Sequence, residues 1–328
     1  MKEILIIRFG ALGDLVFFET HFRAIREIFK GHKLTLLTKS FGKELYEKTG
    51  YFDDIIIYKN TINTIANLKD KKFHIIINMQ CNRASHLITL FTKKDILINS
   101  TTTILQRFLG IKSVHAKSIK ELLVAAKVSE SQIDEYLLRP NVYKIMFPYK
   151  KIKREDSKKT VAISTGSSKR WESKRWGVDN YKQLIHELIS HDFNIILVGS
   201  DLEKEDANII LKDQSSNIVN LVGKTKIYEL IDVLANVDLY IGNDSGPTHI
   251  AAAVGINTIT IFGSTSTKHC VKNMNYMGNH SCFSSENLSC YPCYKSVCPK
   301  KNEEYMKCVK SIKVEDIFDE AIKMMEQK

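Results

Sequence analysis

Apolar residues along this chain fall into short runs, and the runs alternate with stretches in which apolar positions recur every three or four residues. The runs at 2–9, 33–38, 54–58, 73–79 and 95–98 are rich in Ile and Leu and predict strands. Between them, 15–29, 41–48, 61–70 and 83–91 have helical spacing. Continuous apolar strands separated by helices predict a parallel sheet buried on both faces. Right-handed connections would wind it into an open, doubly wound sheet. Residues 140–160, PNVYKIMFPYKKIKREDSKKT, break the pattern with two prolines and a run of charges, and read as a linker. The alternation then restarts. It predicts strands at 161–164, 194–198, 218–220, 239–241 and 258–262, and helices at 178–190, 203–212, 227–235 and 248–253. Residues 314–325 predict a terminal helix. The expectation is an α/β chain of two doubly wound domains, 1–150 and 151–328, with no internal sequence repeat.

Composition fits that picture. At 328 residues, 44% hydrophobic and 26% charged, the chain reads as a soluble globular protein of two domains. No apolar run approaches the roughly 20 residues of a membrane span. The N-terminal MKEILIIRFG is short for a leader and carries Arg8, so it reads as a buried strand and the expected location is the cytoplasm. Five of the seven cysteines, Cys282, Cys290, Cys293, Cys298 and Cys308, crowd one C-terminal stretch. In a reducing compartment this suggests a metal or free thiols before disulfides. The net charge of +11 is uneven: residues 1–154 hold 27 Lys+Arg against 14 Asp+Glu, and the rest hold 21 against 23. A basic first half suits an anionic partner such as a phosphorylated glycolipid, a membrane surface or nucleic acid. A compositional bias towards solubility would look the same.

The most informative stretch is GNDSGPTHIAAA, residues 242–253. An apolar strand precedes it and a helix of small residues follows. A Gly-rich turn there aims free N–H groups and a helix dipole at one spot, which suits a phosphate or diphosphate. Asp244 and Ser245 stand where an N-cap belongs, and His249 follows in the first turn. An ordinary capped helix with a core histidine is the plainer alternative. Gly10-Ala11-Leu12-Gly13-Asp14 leaves the carboxyl end of the first strand, where open α/β sheets place their sites. Gly10 and Gly13 allow close backbone approach. Asp14 can serve as a helix cap or as a proton acceptor. Four thiols, Cys290, Cys293, Cys298 and Cys308, can hold zinc or iron, although their spacing is tighter than a zinc ribbon's.

GNDSGPTHIAAAVG followed by TITIFGSTS resembles the donor-site signature of glycosyltransferase family 9, the ADP-heptose:lipopolysaccharide heptosyltransferases. Three further segments agree and stand in the family's order: IIRFGALGDLVFFETHFRAI, ISTGSSKRWESKRW and CYPCYKSVCP…KC. The resemblance implies a GT-B fold, two Rossmann-like domains facing across a cleft, with acceptor bound by the first domain and nucleotide sugar by the second. A terminal helix often returns to the first domain in such proteins. The reaction implied is inverting transfer of a heptose from ADP-heptose to the inner core of lipopolysaccharide or lipooligosaccharide. Asp14 would be the base. Ser167, Ser168, Lys174, Asp244, Ser245, Gly246 and His249 would hold the donor's diphosphate and sugar. Lys169-Arg170-Trp171 repeats Lys174-Arg175-Trp176 and leaves the register of the lysine open; the second copy is preferred because it directly precedes a helix. Asp201 would meet the ribose, with Glu203 as its rival. No cofactor is implied for catalysis, and no carboxylate pair suited to a divalent ion on the diphosphate stands out. In some relatives a cysteine quartet of different spacing holds iron, so structural zinc or iron at Cys290, Cys293, Cys298 and Cys308 is an open expectation beside unmetallated thiols. The expected partners are an ADP-sugar and an anionic lipopolysaccharide precursor, with peripheral contact to the inner membrane and no nucleic acid. Alternatives are the same donor with a protein or other glycan acceptor, and a GT-B nucleotide-sugar epimerase.

Overall fold

A computed structural model of the chain describes residues 2–99, 114–115, 118–139, 142, 144–151, 157–212, 218–274 and 276–326. The chain divides into two compact units, Met1–Lys144 and Ile145–Lys328, six residues before the boundary read from the sequence.

The first unit holds strands β1 Glu3–Ile7, β2 Lys33–Thr38, β3 Asp54–Ile57, β4 Lys72–Asn78, β5 Lys93–Asn99 and β6 Val114–His115. They pair in parallel in the order β3-β2-β1-β4-β5-β6. Ile4, Leu5, Ile6 and Ile7 are wholly buried, as a central parallel strand covered on both faces requires. The stretch read as one helix over 15–29 is two, Leu12–Phe17 and Glu19–Ile28, meeting at Phe18. Apolar spacing continues through the break, so periodicity alone hides it. The first helix starts at Leu12, which puts Asp14 inside its first turn. The helices Ile119–Ala125 and Glu130–Leu137 and the strand β6 were not foreseen.

The second unit repeats the plan. Its strands are β7 Thr160–Ser164, β8 Asn194–Leu197, β9 Ile218–Asn220, β10 Leu239–Asn243, β11 Asn257–Ile261 and β12 His280–Phe283. Their order is β12-β11-β10-β7-β8-β9, all parallel. Counted within each unit, both sheets have the order 3-2-1-4-5-6. That order reverses direction between the first and fourth strands, and ligands bind outside the carboxyl ends of those strands. The two places to inspect are therefore the ends of β1 and β4, and the ends of β7 and β10. The terminal helix Val314–Glu326 packs on the helix Val178–Ser190 and on β10 and β11. It belongs to the second unit's core through Ile317, Ala321 and Met324.

Candidate functional site

At the first switch point, Gly10 turns the chain from β1 into the helix Leu12–Phe17. Its φ is +28°, and a Cβ there would lie 3.2 Å from Arg8 Nε and 3.2 Å from Asp14 Cβ. The N–H groups of Phe9 and Gly10 donate to Gln80 Oε1 at 2.8 and 2.9 Å. Gln80 follows β4, so the two loops flanking the switch point are tied together. Asp14 Oδ2 accepts the Ala11 N–H at 3.2 Å and pairs with Arg8 Nη2 at 3.1 Å. Both contacts engage one oxygen, and the side chain is 55% exposed. Arg8 is mostly buried. Its Nη1 donates to Met79 O at 2.7 Å, and its guanidinium lies 4.6 Å from the centre of the Phe18 ring. Burial pulls the Arg8 pKa down and Asp14 partly restores it. Gly13 sits within the helix, not in the turn. Sequence reasoning missed Arg8 and Gln80 as parts of this site. A lone arginine ending an apolar strand was the available signal; Gln80 carried none.

At the second switch point, Asn243 ends β10 and is wholly buried. Its Nδ2 donates to Thr165 O at 2.7 Å and Gly166 O at 3.1 Å, and its Oδ1 accepts the Trp176 N–H at 3.1 Å. One side chain thus joins the loop after β7 to the turn before the helix Val178–Ser190. That turn is a short 3-10 segment, Glu172–Lys174. It delivers Lys174 Nζ to Asp244 Oδ2 at 2.6 Å. Thr265 Oγ1 donates to the same oxygen at 2.8 Å, and the ammonium stands 5.0 Å from the centre of the Trp171 ring. The lysine and aspartate side chains are only 17% and 10% exposed. Taking two charges out of water is costly unless they are paired and hydrogen-bonded; here they are. Lys169 and Arg170 are exposed. The two Lys-Arg-Trp copies therefore differ: Trp171 lies under Lys174, while Trp176 is a core residue whose Nε1 donates to Ile312 O at 3.0 Å.

The remaining residues divide. Ser167 is buried and its hydroxyl donates to Trp171 O at 2.6 Å, closing the loop; Ser168 is exposed. Ser245 is the N-cap residue of the helix Gly246–Ala253 but its side chain makes no capping bond, and Pro247 in the first turn has no N–H. His249 Nδ1 lies 3.1 Å from the Tyr276 hydroxyl. Asp201 is exposed and pairs with its neighbour Lys204 at 2.8 Å. Its rival Glu203 is buried, with Oε2 accepting the Ser200 N–H at 2.7 Å and hydroxyl at 2.8 Å. Glu203 is thus committed to a helix start. Asn243 and Thr265 went unread in the sequence, although both lie inside the quoted motifs.

The cysteines correct one expectation. Cys282 does not join the C-terminal thiols but forms a disulfide with Cys270. The edge strand β12 sets Cys282 opposite Thr260 of β11 and brings its Cα to 6.6 Å from that of Cys270. Cys290, Cys293, Cys298 and Cys308 are free thiols. Burial and the three neighbouring thiols push the Cys308 pKa up. Among the described residues, no three Cys, His, Asp or Glu side chains converge in a metal-ligating set.

Residues 62–304 match the model of glycosyltransferase family 9 (heptosyltransferase), and the chain belongs to that family. It is 34% identical over 161 residues to lipooligosaccharide heptosyltransferase 2 of Campylobacter jejuni, a match spanning 48% of this chain and 47% of the relative. Such matches thus reach about half the relatives' length. The lipopolysaccharide core heptosyltransferase OpsX of Haemophilus influenzae matches at 23% identity over 80% of this chain and 79% of its own. The structure of the ADP-heptose lipopolysaccharide heptosyltransferase II of Escherichia coli aligns with a TM-score of 0.73 at 15% identity, covering 100% of this chain and 99% of that one. The fold is the two-unit α/β architecture of GT-B heptosyltransferases. Among the described residues, no helix is long and apolar enough to cross a membrane.

Proposed function

We propose that this chain is an inverting glycosyltransferase that moves a heptose from ADP-heptose to the inner core of lipopolysaccharide or lipooligosaccharide. The observation that carries the reading is the Lys174–Asp244–Thr265 cluster at the second switch point, beside an uncapped helix start. A buried cation next to free N–H groups is a place for a diphosphate. In the transfer, an acceptor hydroxyl oxygen bonds to the anomeric carbon as the bond from that carbon to the diphosphate breaks. Asp14 takes the hydroxyl proton; its second oxygen is outside the contacts with Arg8 and Ala11. Lys174, the backbone at Ser245 and Gly246, and His249 stabilise the charge growing on ADP. Asp244 fixes Lys174 and meets the sugar hydroxyls. Residues 1–150 would bind the acceptor and 151–328 the donor, with Asp201 the candidate for the ribose. The basic first half favours an anionic precursor at the cytoplasmic face of the inner membrane.

The test is a panel of ADP-, UDP-, GDP- and CMP-sugars offered with a Kdo-bearing lipid acceptor, followed by product analysis. Transfer from ADP-heptose with inverted anomeric configuration is expected. Transfer only from another nucleotide sugar, or epimerised donor without transfer, would overturn the reading.

A further inference from the structure

The Cys-rich segment takes no part in the transfer just described, yet it is bonded to the turn that carries Lys174. Ser173, 2% exposed, donates its N–H to Ser296 O at 3.2 Å and its hydroxyl to Lys295 O. The Ser264 hydroxyl lies 2.8 Å from that of Ser173. The Ser264 N–H donates to Ser173 O at 3.3 Å, and the Tyr294 N–H donates to Ser264 O at 2.9 Å. Tyr305 donates its hydroxyl to Glu172 Oε1 at 2.7 Å. On the other side, Gly263 leaves no room: a Cβ there would lie 2.1 Å from Ser173 O and 3.1 Å from Lys174 Cα. The turn is held between residues 263–264 and residues 294–296. Cys298 and Cys308 anchor the segment by packing on the second unit's core.

A three-residue 3-10 turn has little stability of its own. A lysine side chain also loses much rotamer freedom when fixed. Something outside the turn must hold the Lys174 backbone if its ammonium is to wait at one place. We propose that the Cys-rich segment 290–308 is a strap that positions Lys174 for the donor diphosphate, acting through Ser173. This rests on the reading of Lys174 given above. Ser173 is a positioning residue: it reaches the donor only through its neighbour.

The experiment compares Ser173→Ala with wild type by two readouts. The first is steady-state kinetics with ADP-heptose. Losing buried hydrogen bonds at this turn should raise donor KM about tenfold while acceptor KM stays within about twofold. The second is amide hydrogen exchange without ligand. Segment 172–176 should exchange about tenfold faster, with β7 unchanged. Ser264→Ala should shift both readouts the same way and less. A fall in active fraction with donor KM unchanged would make Ser173 merely structural and overturn the proposal, as would unchanged exchange at 172–176. If Ser173→Ala does not fold, Tyr305→Phe, which removes only the bond to Glu172, is read by the same criteria. If wild type turns over no nucleotide sugar, the functional reading fails separately, and the exchange result still decides whether the strap holds the turn.

Discussion

The two sheets share a strand order, and each switch point carries a largely buried cation, but the paired carboxylate is open at one and closed at the other. In the first unit the cation is largely buried and the carboxylate is open: Arg8 stacks on Phe18 and donates to Met79 O, while Asp14 is more than half exposed. In the second, cation and carboxylate are both nearly out of water and share a hydroxyl from Thr265. Topology alone fixes neither arrangement. An open carboxylate with one oxygen engaged can receive a proton from a substrate. A closed ion pair has already met its desolvation cost on folding and offers a preorganised charge. That contrast supports the proposal that the first site takes the proton and the second meets the diphosphate charge.

The largest effect should come from breaking the first site. Asp14→Asn keeps the shape and removes the proton acceptor, so kcat should fall roughly a hundred- to ten-thousand-fold. ADP affinity, measured by calorimetry, should hold within about twofold if, as proposed, the nucleotide binds the other unit. Near-normal turnover in this variant would remove Asp14 from the mechanism.

Next comes the second site. Lys174→Ala should lower kcat/KM for the donor about a hundredfold. It should also destabilise the second unit by about 3–5 kcal/mol, since it leaves Asp244 buried without its partner. Lys169→Ala, at the exposed copy of the motif, should do neither. If Lys169 carries the kinetic effect instead, the register of the motif is the other one.

A glycine pair contrasts the two units without touching charge. Gly263→Ala drives a methyl into Ser173 O and should lower stability by about 1–3 kcal/mol. Gly31→Ala in the first unit meets nothing within 4 Å and has no positive φ. It should be neutral or slightly stabilising, by up to about 1 kcal/mol. Denaturant midpoints at constant slope read both.

How much of this could be seen in the sequence follows from where each interaction lives. The strands of both units could be read because a doubly covered parallel strand demands a continuous apolar run, such as Ile4–Ile7. The same tolerance erased any sequence repeat: burial asks for apolar residues, not for particular ones. The break at Phe18 was hidden because apolar spacing runs through it. The edge strand His280–Phe283 is half-buried, too polar and too short to stand out. In the proposed sites, motif resemblance pointed to Asp14, Lys174 and Asp244. It did not point to their partners. Thr265 meets Asp244 from beyond the neighbouring strand and Gln80 ties in through the backbone of Phe9 and Gly10, meetings that no local pattern encodes; Arg8, six residues from Asp14, left only a lone arginine at the end of an apolar strand.

The smallest predicted effect separates the units by acid. Burial holds His21 in the first unit and His280 in the second at a pKa of about 4, below the ordinary 6.5. In the unfolded chain each takes a proton near 6.5, so between pH 6.5 and 4 the unfolded state binds more protons than the folded one. The stability each neutral histidine allows is therefore complete above pH 6.5 and declines as pH falls towards 4. Both tryptophans, Trp171 and Trp176, lie in the second unit, so their fluorescence reports that unit's unfolding. His280→Gln should flatten the acid loss seen by tryptophan, and His21→Gln should leave that curve unchanged while flattening the loss seen by far-ultraviolet dichroism of the whole chain. At pH 5.5, one unit below the unfolded value, each change is expected to amount to about 1.4 kcal/mol. If His21→Gln shifts the tryptophan curve as much as His280→Gln does, the two units unfold as one cooperative body, and the contrast between their sites has to be measured by ligand binding alone.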